Sequence, residues 1–577
     1  MSLHDDARRQ CAAHLGELCL GAHLLGEQRC LQAVEEALQP AHELRLGDPQ
    51  LGVARLPLVR ERERDPAELL DQVRREPVLE LAQRPLVDLR QAAARGVVEG
   101  RGAHLLEQLL DHRADAHDLR RLADHARRVG RVDGPLGRCL GGDLLGFAVR
   151  HASIMTPPPP AAGSVPRMAW MGSPAHRRWL EQETDRLLAF ARASRVDDGF
   201  GWLRDDGTVD DARATELYVT CRMTHVFALG DLLGRPGSGP LADHGVAALT
   251  GAFHDGEHGG WFSSRTPDGP ADDGKAAYAH AFVVLAASSA AAAGRPGARE
   301  LLDDALAVSL RYFWEEDAGM VRESWDRAFT REEAYRGVNA NMHTVEAYLA
   351  AADVTGDDAW LTRALRITER VVHGFAREHD WRLPEHFDPS WQPLLDHHKD
   401  VPAHPFRPYG VTIGHLLEWS RLTLHLRAAL ELRGRAAPAW MLPDAVALAR
   451  VAVRDGWHAD GASGFVYTVG FDGRPVVRER MHWVLCEGIG AAAALATATG
   501  DPAYEDWYRR WWDEAAAHVI DPVGGSWWHE LDADHRVSRT VWSGKPDVYH
   551  ALQATLIPRL PLAPTLATAV AEGLLAD

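Results

Sequence analysis

After residue 173, apolar residues recur every three to four positions along most of the chain, which is the spacing of amphipathic helices. Glycine and aspartate interrupt the pattern and mark where helices end and begin. The pattern predicts about twelve helices, which pair into six helical hairpins. They are expected near residues 174–195, 213–233, 240–254, 274–293, 296–315, 339–355, 357–377, 411–433, 439–457, 479–499, 501–519 and 544–558.

Two turns are near copies of each other: V-T-G-D-D-A-W at residues 354–360 and A-T-G-D-P-A-Y at residues 498–504. In each, glycine is expected to end one helix and aspartate to cap the next. Between helix pairs the helical spacing gives way to short segments rich in glycine and aromatic residues, which have the character of strands. These segments span residues 197–203, 254–262, 464–476 and 524–532.

The recurrence of helix pairs and glycine-aromatic loops is a loose internal repeat without a fixed period. Six helical hairpins that close on themselves form an all-α toroid, the (α/α)6 barrel, here with short β-hairpins in the loops. The loops on one side of such a toroid rim a central cavity. Aromatic side chains around a cavity suit sugar binding because their faces stack on a pyranose, although most of the 19 tryptophans are expected in the core.

Residues 1–154 differ sharply from the rest of the chain. Residues 1–153 contain no Trp, Tyr, Lys, Asn, Thr or Ile and one Phe, whereas all 19 Trp and all 10 Tyr lie after them. Without large side chains a core buries little apolar area against the entropy cost of folding. A proline-rich linker at residues 155–172 then precedes the predicted barrel domain, residues 173–577.

Three interpretations of residues 1–154 are open: a small helical domain, a disordered arm, or translation from a start codon placed too far upstream in a G+C-rich gene. We favour the last, because out-of-frame or reverse-strand translation of such DNA tends to produce a bias toward Arg, Leu, Ala and His. Met155, Met168 and Met171 in the linker are then candidate starts. Peptides from before Met155 in the natively expressed protein would contradict this interpretation.

The formal net charge of -19 argues against nucleic acid or an anionic membrane as a partner, because both require a basic surface. No long apolar stretch predicts a transmembrane helix, and the N-terminus M-S-L-H-D-D lacks the features of a secretory signal. The six cysteines are scattered without a CxxC pair, which fits a reducing compartment. We therefore expect a cytoplasmic protein.

Polar residues on the predicted helices are the candidates for chemistry, since such groups are costly inside a barrel unless they are paired. His415 and Glu418, in G-V-T-I-G-H-L-L-E-W at residues 410–419, are three apart and therefore neighbours on one helical face. From spacing alone, a structural role for this pair is favoured over proton transfer. His550 lies on the last predicted helix.

Two further helices carry polar stripes. Tyr218 and Arg222 are four apart, and a guanidinium beside an aromatic ring suits either a substrate hydroxyl or an ordinary ion pair. Asn339, His343 and Glu346 form a second stripe at positions i, i+4 and i+7. The repetition of His and Glu on a second helix favours a functional interpretation.

The 30 histidines raise the question of a metal site. His397 and His398 are adjacent, so their side chains are expected to point apart, and no HExxH or similar spacing occurs. No phosphate-binding or dinucleotide-binding glycine motif opens a strand-to-helix unit. Imidazoles, carboxylates and an arginine remain, and these suffice for proton transfer beside a carbonyl with no metal and no cofactor.

A set of specific motifs runs through residues 173–577. They are R-W-L-E-Q-E-T-D-R (178–186), E-S-W-D-R-A-F (323–329), N-A-N-M-H (339–343), E-H-F-D (385–388), G-H-L-L-E-W (414–419), V-V-R-E-R (476–480), G-S-W-W-H-E-L-D-A-D (525–534) and I-P-R-L-P-L-A-P (557–564). Together they resemble the N-acylglucosamine 2-epimerase superfamily, and within it the aldose-ketose isomerase branch that includes mannose and sulfoquinovose isomerases.

The resemblance implies an (α/α)6 barrel and metal-free isomerisation through a cis-enediol. Transferred residue by residue, it implies that His415 and His550 are the catalytic pair, one opening the sugar ring and the other moving a proton between C2 and C1. It also implies cavity positions that hold hydroxyls and the enediolate. These are Arg222, Asn339, His343 and Glu418, with Glu487 also expected to face the cavity.

The resemblance bears on the substrate where this chain departs from the sulfosugar branch, which has Arg at the position of Pro405 and Gln at those of His529 and Pro546. A sulfonate would lose about 1.5 to 3 kcal/mol for each missing charge-assisted hydrogen bond. Tyr218 stands where the family usually has Trp, so an aromatic ring can still stack on the sugar but over a different contact area. We therefore expect D-mannose and D-fructose as the substrate pair, with lyxose and xylulose as a further pair, and His529 among the binding residues.

Three alternatives stay open: a sulfoquinovose isomerase, a sugar 2-epimerase that returns the proton to the opposite face of C2, and a sugar-binding toroid without catalysis. The retained His415, His550 and Arg222 speak against the last, whereas the changes at Pro405 and Pro546 keep it open. The expected partner is a monosaccharide, and the oligomeric state is left open.

Overall fold

The computed structural model describes residues 170 to 575. Residues 1–154 and the linker up to residue 169 lie outside the described residues, so the division of the chain there stays a prediction. The described part contains thirteen α-helices. They are α1 Pro174–Ala191, α2 Leu217–Leu232, α3 Ser238–Thr250, α4 Ala277–Ala292, α5 Ala298–Val308, α6 Val338–Thr355, α7 Ala359–Thr368, α8 Ile413–Leu432, α9 Met441–Gly456, α10 His482–Thr499, α11 Pro502–Glu514, α12 Tyr549–Leu556 and α13 Leu566–Ala571.

Six of these helices form an inner ring, in which each contacts the next in the order α2, α4, α6, α8, α10, α12 and back to α2. The outer helices α3, α5, α7, α9 and α11 each pack on the inner helix that precedes them in the chain. The architecture is the predicted (α/α)6 barrel. No helix of the described part is both long and apolar enough to cross a membrane.

The two rings differ in sequence for a physical reason. Inner helix α4 reads A-Y-A-H-A-F-V-V-L-A-A-S-S-A-A-A, is apolar or small on all sides and is buried almost throughout, because it packs on neighbours in every direction. Outer helix α5 buries one stripe that includes Leu301, Leu302 and Leu306 and turns its charged residues outward.

The sixth helix pair is made by the two ends of the domain, since α1 packs on α12. Helix α13 was missed by the sequence pattern because its six small and apolar residues are too few to show a helical period. It packs against the inner helices α2, α4 and α6.

The two copied turns behave as predicted. Gly356 and Gly500 adopt left-handed backbone with φ of 74° and 69°, where a residue without a side chain is least strained. Asp501 then caps α11 by accepting a hydrogen bond from the backbone N–H of Ala503 at 2.9 Å.

Short antiparallel ladders join the loops on one side of the ring, as the strand-like segments of the sequence predicted. The strands are β1 Arg195–Val196, β2 Gly199–Phe200, β3 Thr215–Glu216, β4 Ser264–Thr266, β5 Gly269–Asp272, β6 Lys275–Ala276, β7 Trp314–Glu315, β8 Met320–Val321, β9 Ser324–Trp325, β10 Arg336–Gly337, β11 His386–Phe387, β12 Val411–Thr412, β13 Thr468–Val469, β14 Pro475–Val477, β15 Arg480–Met481 and β16 Glu530–Leu531.

Five inner helices begin directly after a strand that pairs with the loop following the next outer helix. The ladders are β3 with β4, β6 with β9, β10 with β11, β12 with β13 and β15 with β16. For α2, α4, α8 and α10 the sequence pattern placed the helix start two to four residues too early, since the apolar spacing continues through the strand. Each ladder holds the first turn of its helix in the same place, at the rim of the ring.

Three outer helices continue into π-helical turns before their ladder. These turns are Ser309–Phe313, Glu369–Ala376 and Ala515–Val519. Such turns widen the helix and re-aim its last side chains.

Candidate active site

A cleft opens at the ladder side of the ring, with about 720 Å³ of free space that includes its open mouth. Its walls are the first turns of the inner helices and three loops. The lining residues are Tyr218, Arg222, Tyr278, Asn339, His343, Pro405, Phe406, Pro408, His415, Glu418, Tyr467, His482, Trp483, His529, Trp542, Pro546, Asp547 and His550. All the candidates from the sequence are among them except Glu346 and Glu487.

Equivalent positions of different inner helices supply much of this lining. The second residue of α2, α4, α6, α10 and α12 lies in the cleft, namely Tyr218, Tyr278, Asn339, Trp483 and His550. Sequence reasoning missed Tyr278 and Trp483. Their position directly after the ladder strand, the same as that of Tyr218 and Asn339, is the signal that would have found them.

His415 is paired with a carboxylate from another part of the chain. Its Nδ1–H donates to Oε1 of Glu385 at 2.9 Å, and both side chains are buried. Glu385 directly precedes β11, and its carbonyl oxygen accepts from the N–H of Val338 at the start of α6. The expected neighbour Glu418 is therefore not the partner of His415. With Nδ1 occupied, Nε2 is the nitrogen left for a ligand.

His550 has a carboxylate partner of the same kind. Its Nδ1–H donates to Oε1 of Glu487 at 3.1 Å, and Nε of Arg421 donates to the other oxygen of Glu487 at 2.8 Å. Glu487 thus lies behind His550 and is not among the residues that line the cleft, where it was expected. Burial opposes the charge of Glu487, but Arg421 and the hydrogen bond from His550 hold its pKa below the ordinary value.

Burial lowers the pKa of His550 itself, while the hydrogen bond to Glu487 acts in the opposite direction. The imidazole is therefore neutral at neutral pH and able to accept a proton. A neutral imidazole with its Nδ1–H held by a carboxylate is the usual form of a general base.

Trp483 lies between the two imidazoles. Its ring centroid is 5.3 Å from that of His415 and 5.8 Å from that of His550. Gly414 makes this possible, because a Cβ there would lie 2.2 Å from Trp483 Cζ3. The two His–Glu pairs therefore face one space across a single aromatic residue.

Glu418 lies deeper, at the floor of the cleft, and is 1% exposed. Burial raises its pKa well above the ordinary value, and the charge of Glu487 acts in the same direction, although Arg421 opposes both. Its Oε1 is 3.6 Å from Nη2 of Arg421 and has no hydrogen-bond partner among residues 170 to 575. A protonated carboxyl in this position can donate a hydrogen bond to a ligand.

Arg222 is the one Arg or Lys among the described residues that line the cleft. Its Nη1 donates to Asp547 at 3.2 Å and its Nη2 to the hydroxyl of Tyr278 at 3.0 Å. Its guanidinium carbon lies 5.3 Å from the ring centroid of Tyr218, so the expected pairing of these two residues on one face is present. Burial opposes its charge, but Tyr278 and Asp547 hold its pKa above the ordinary value.

The stripe on α6 divides between two levels. Asn339 and His343 line the cleft, whereas Glu346 lies below it and accepts hydrogen bonds from Tyr549 and Gln553. Burial lowers the pKa of His343 to about 4, so this imidazole is neutral.

Several buried polar atoms of the cleft have no protein partner in the described part of the chain. They are Arg222 Nε, Asn339 Oδ1, Glu418 Oε1 and His482 Nε2. Leaving such atoms unpaired costs about 1 to 3 kcal/mol each, so the arrangement favours a ligand that carries several hydroxyl groups.

The mouth of the cleft is apolar on one side and closed by histidines on the other. Pro405 and Pro546 line it as the sequence suggested. The ring of His529 stacks on His482 with centroids 3.7 Å apart, and its Nε2–H donates to the carbonyl of Asp547 at 3.1 Å. Burial lowers the pKa of His529 to about 4, so it offers no positive charge.

One group of the cleft has the composition of a metal site: the ligand atoms of His343, Glu346 and Glu418 lie within 4.8 Å of one another. Two arginines compete with a cation there. Nη2 of Arg421 is 3.6 Å from Glu418, and its charge and that of Arg222 act on the same carboxyl. The charge balance therefore disfavours a divalent ion at this position.

His397 and His398 correct one expectation from the sequence, since their rings do not point apart but lie 4.1 Å from each other. His398 has a φ of 56°, and this left-handed backbone turns its side chain back toward its neighbour. Alternation of side chains holds only for extended backbone.

The fold and the cleft define a class of protein: an (α/α)6 toroid whose inner helices present two histidine–glutamate pairs to one polar cavity. The family model described as N-acylglucosamine 2-epimerase (GlcNAc 2-epimerase) matches residues 199–554. The chain belongs to this family and is an isomerase.

The chain is also similar to individual proteins of this family. The D-mannose isomerase of Thermobifida fusca is 55% identical over 405 residues, which are 70% of this chain and 98% of that protein. The D-mannose isomerase of Pseudomonas cannabina pv. alisalensis is 51% identical over 403 residues, 70% of this chain and 97% of that protein.

Solved structures agree with the fold. A crystal structure of a D-mannose isomerase superposes with a TM-score of 0.63 at 28% identity, covering 68% of this chain and 99% of that one. Cellobiose 2-epimerase from Spirochaeta thermophila superposes with a TM-score of 0.58 at 21% identity, covering 67% and 96%. The second likeness concerns the fold alone.

Proposed function

We propose that this protein is an aldose-ketose isomerase that interconverts D-mannose and D-fructose. The observation that carries the proposal is the pair of imidazoles, His415 and His550, each held by a glutamate and both facing the same cavity across Trp483. The identity of 51% to 55% with two proteins named D-mannose isomerase supports the choice of sugar.

The reaction needs two proton transfers and no redox partner. One imidazole takes the proton from C2 of the open-chain aldose and returns it to C1, while the hydroxyl proton of C2 passes to O1. Atoms and electrons balance within the sugar, so acid–base groups suffice. We assign one of His415 and His550 to this transfer and the other to opening the ring, without fixing which is which.

Arg222 and the protonated Glu418 suit the charge that develops in the cis-enediolate. A guanidinium and a carboxyl that donate hydrogen bonds stabilise negative charge more in the transition state than in the sugar. Asn339 and His343 supply further hydrogen bonds to hydroxyl groups. Tyr218, at the wall, offers an aromatic face for the sugar ring.

A neutral sugar fits the electrostatics better than a sulfonated one. Arg222 is already paired with Asp547, and His529 is neutral with its Nε2–H committed to a carbonyl. A sulfonate at this mouth would therefore be buried without a free cation to pair with, which is costly.

The test is incubation of the protein in deuterated water with mannose, glucose or sulfoquinovose. We expect deuterium-labelled fructose from mannose, followed by NMR. Labelled glucose from mannose would indicate a 2-epimerase instead, and turnover of sulfoquinovose alone would indicate the sulfosugar branch. Absence of exchange with every sugar would leave a binding toroid, and each of these three outcomes would overturn the proposal.

A further inference from the structure

A second group of ligating side chains lies outside the cleft, at the end of outer helix α11. The ligand atoms of Glu514, His518 and His535 all lie within 4.8 Å of one another. The side chains of Glu514 and His535 are 11% and 16% exposed, so the cluster is largely shielded yet reachable from solvent. None of these residues contributes to the proposed isomerisation.

Two separate parts of the chain build this cluster. Glu514 is the last residue of α11, and His518 follows four positions later within the π-helical turn Ala515–Val519. His535 comes from the turn after β16 and has a φ of 59°. The carboxylate of Asp532 holds that turn by accepting from the N–H of Asp534 and Arg536, both at 2.9 Å.

One pair of ligand atoms already has the spacing found in a tetrahedral site. Bonds of about 2.0 to 2.1 Å to a zinc ion place ligand atoms about 3.3 Å apart. Nε2 of His535 and Oε1 of Glu514 are already 3.2 Å apart. The other oxygen of Glu514 accepts from Oγ of Ser463 at 2.5 Å, and such outer hydrogen bonds orient a ligating carboxylate.

A simple ion pair between His535 and Glu514 does not account for His518. The ring of His518 lies parallel to that of His535, with centroids 3.8 Å apart and planes 10° apart. Within residues 170 to 575 neither nitrogen of His518 has a hydrogen-bond partner. Each imidazole has a nitrogen within 4.8 Å of the Glu514 carboxylate. A shared ion requires the two stacked rings to rotate apart, because ligands of one tetrahedral ion diverge from it.

We propose that Glu514, His518 and His535 form a site for a divalent transition-metal ion of the zinc type, with water completing the coordination. Two imidazoles and one carboxylate are a ligand set that Zn²⁺ prefers, and the oxygen-only sites of Mg²⁺ or Ca²⁺ are excluded by composition. The cluster stands apart from the cleft, so the proposal is independent of the proposed function.

The position of the site gives the ion a structural role. The turn that carries His535 follows β16, where the carboxylate of Glu530 accepts from the N–H groups of Thr540, Val541 and Trp542. Trp542 lines the cleft. A metal ion bound by Glu514 and His535 would tie this loop to α11 and stabilise the wall of the cleft.

The test is zinc binding by the full chain after removal of metals with a chelator, measured by titration calorimetry and by metal content after dialysis. We expect one zinc ion per chain at this site, a higher melting temperature with zinc than without it, and a tetrahedral absorption spectrum when Co²⁺ replaces zinc. His518→Ala and His535→Ala should each lower zinc affinity at least tenfold and abolish the thermal shift.

His254→Ala is the matched control. His254 pairs at 3.2 Å with Asp304, which lies on another outer helix, and the substitution should leave zinc binding unchanged. The Glu418→Gln variant tests whether zinc binds in the cleft instead of at the proposed site. If an alanine variant fails to fold by circular dichroism, the isosteric Glu514→Gln replaces it. Wild-type binding in the folded cluster variants, loss of binding in Glu418→Gln instead, or no binding by the wild type would each overturn the proposal.

Discussion

The two histidine–glutamate pairs of the cleft have similar hydrogen-bond geometry but different surroundings. Glu385 holds His415 from a loop and has no arginine partner among the described residues, whereas Glu487 holds His550 from an inner helix and is also bonded to the buried Arg421. One pair is therefore an isolated dyad, and the other is the end of a buried charge network. We therefore expect loss of the glutamate to lower stability little at His415 and much more at His550.

The network behind His550 also explains why Glu418, at the floor of the cleft, keeps its proton. Glu418 and Glu487 share the buried Arg421, which lies 2.8 Å from Glu487 and 3.6 Å from Glu418. Glu487 is bonded directly to Arg421 and stays ionised, so Glu418 is the carboxyl that keeps its proton. Environment rather than residue type gives the two glutamates different roles.

The largest effect is expected from the imidazoles themselves. His415→Ala and His550→Ala should each lower kcat for mannose by about 10²- to 10⁴-fold, because each removes an acid–base group, without unfolding the barrel. Steady-state kinetics and circular dichroism measure the two quantities. His258→Ala, a histidine near Glu257 on the surface, is the control. Activity like that of the wild type in either variant would refute the role assigned to that residue.

The second largest effect is expected on stability, which should fall more on loss of Glu487 than on loss of Glu385. Glu487→Ala should lower the free energy of unfolding by about 3 to 5 kcal/mol, since it leaves the charge of Arg421 buried without its closest partner. Glu385→Ala should cost only about 1 to 3 kcal/mol, because His415 loses one hydrogen bond and no buried arginine loses its partner. Denaturant unfolding measures both. Equal losses would mean that Glu418 ionises and takes over from Glu487.

The smallest effect is a shift in pH dependence. A base whose pKa is lowered by burial stays neutral above that pKa, so kcat/KM should fall only when the pH drops below the ordinary histidine range. Glu487→Gln removes the charge that favours the imidazolium of His550, and the acid limb should move to lower pH by about 1 unit. Glu257→Gln, at an exposed ion pair, is the control. A shift to higher pH would contradict this account.

Some of the site followed from local spacing. The second and sixth residues of an inner helix lie one turn apart on one face, so Tyr218 with Arg222 and Asn339 with His343 were recognised as stripes. The partner of His415 was not recognised, because Glu385 is 30 positions away and reaches it only through the β10–β11 ladder.

The helices, the glycine-aspartate turns and the inner-facing positions of this protein were determined by the sequence itself, since helix formation, capping and amphipathic spacing act over three to four residues. The carboxylate partners of the two cleft histidines were decided by the tertiary structure. Closure of the ring pairs α1 with α12, puts Glu487 behind His550 and brings His535 to Glu514. Such contacts depend on which helices become neighbours, and no local pattern encodes that choice.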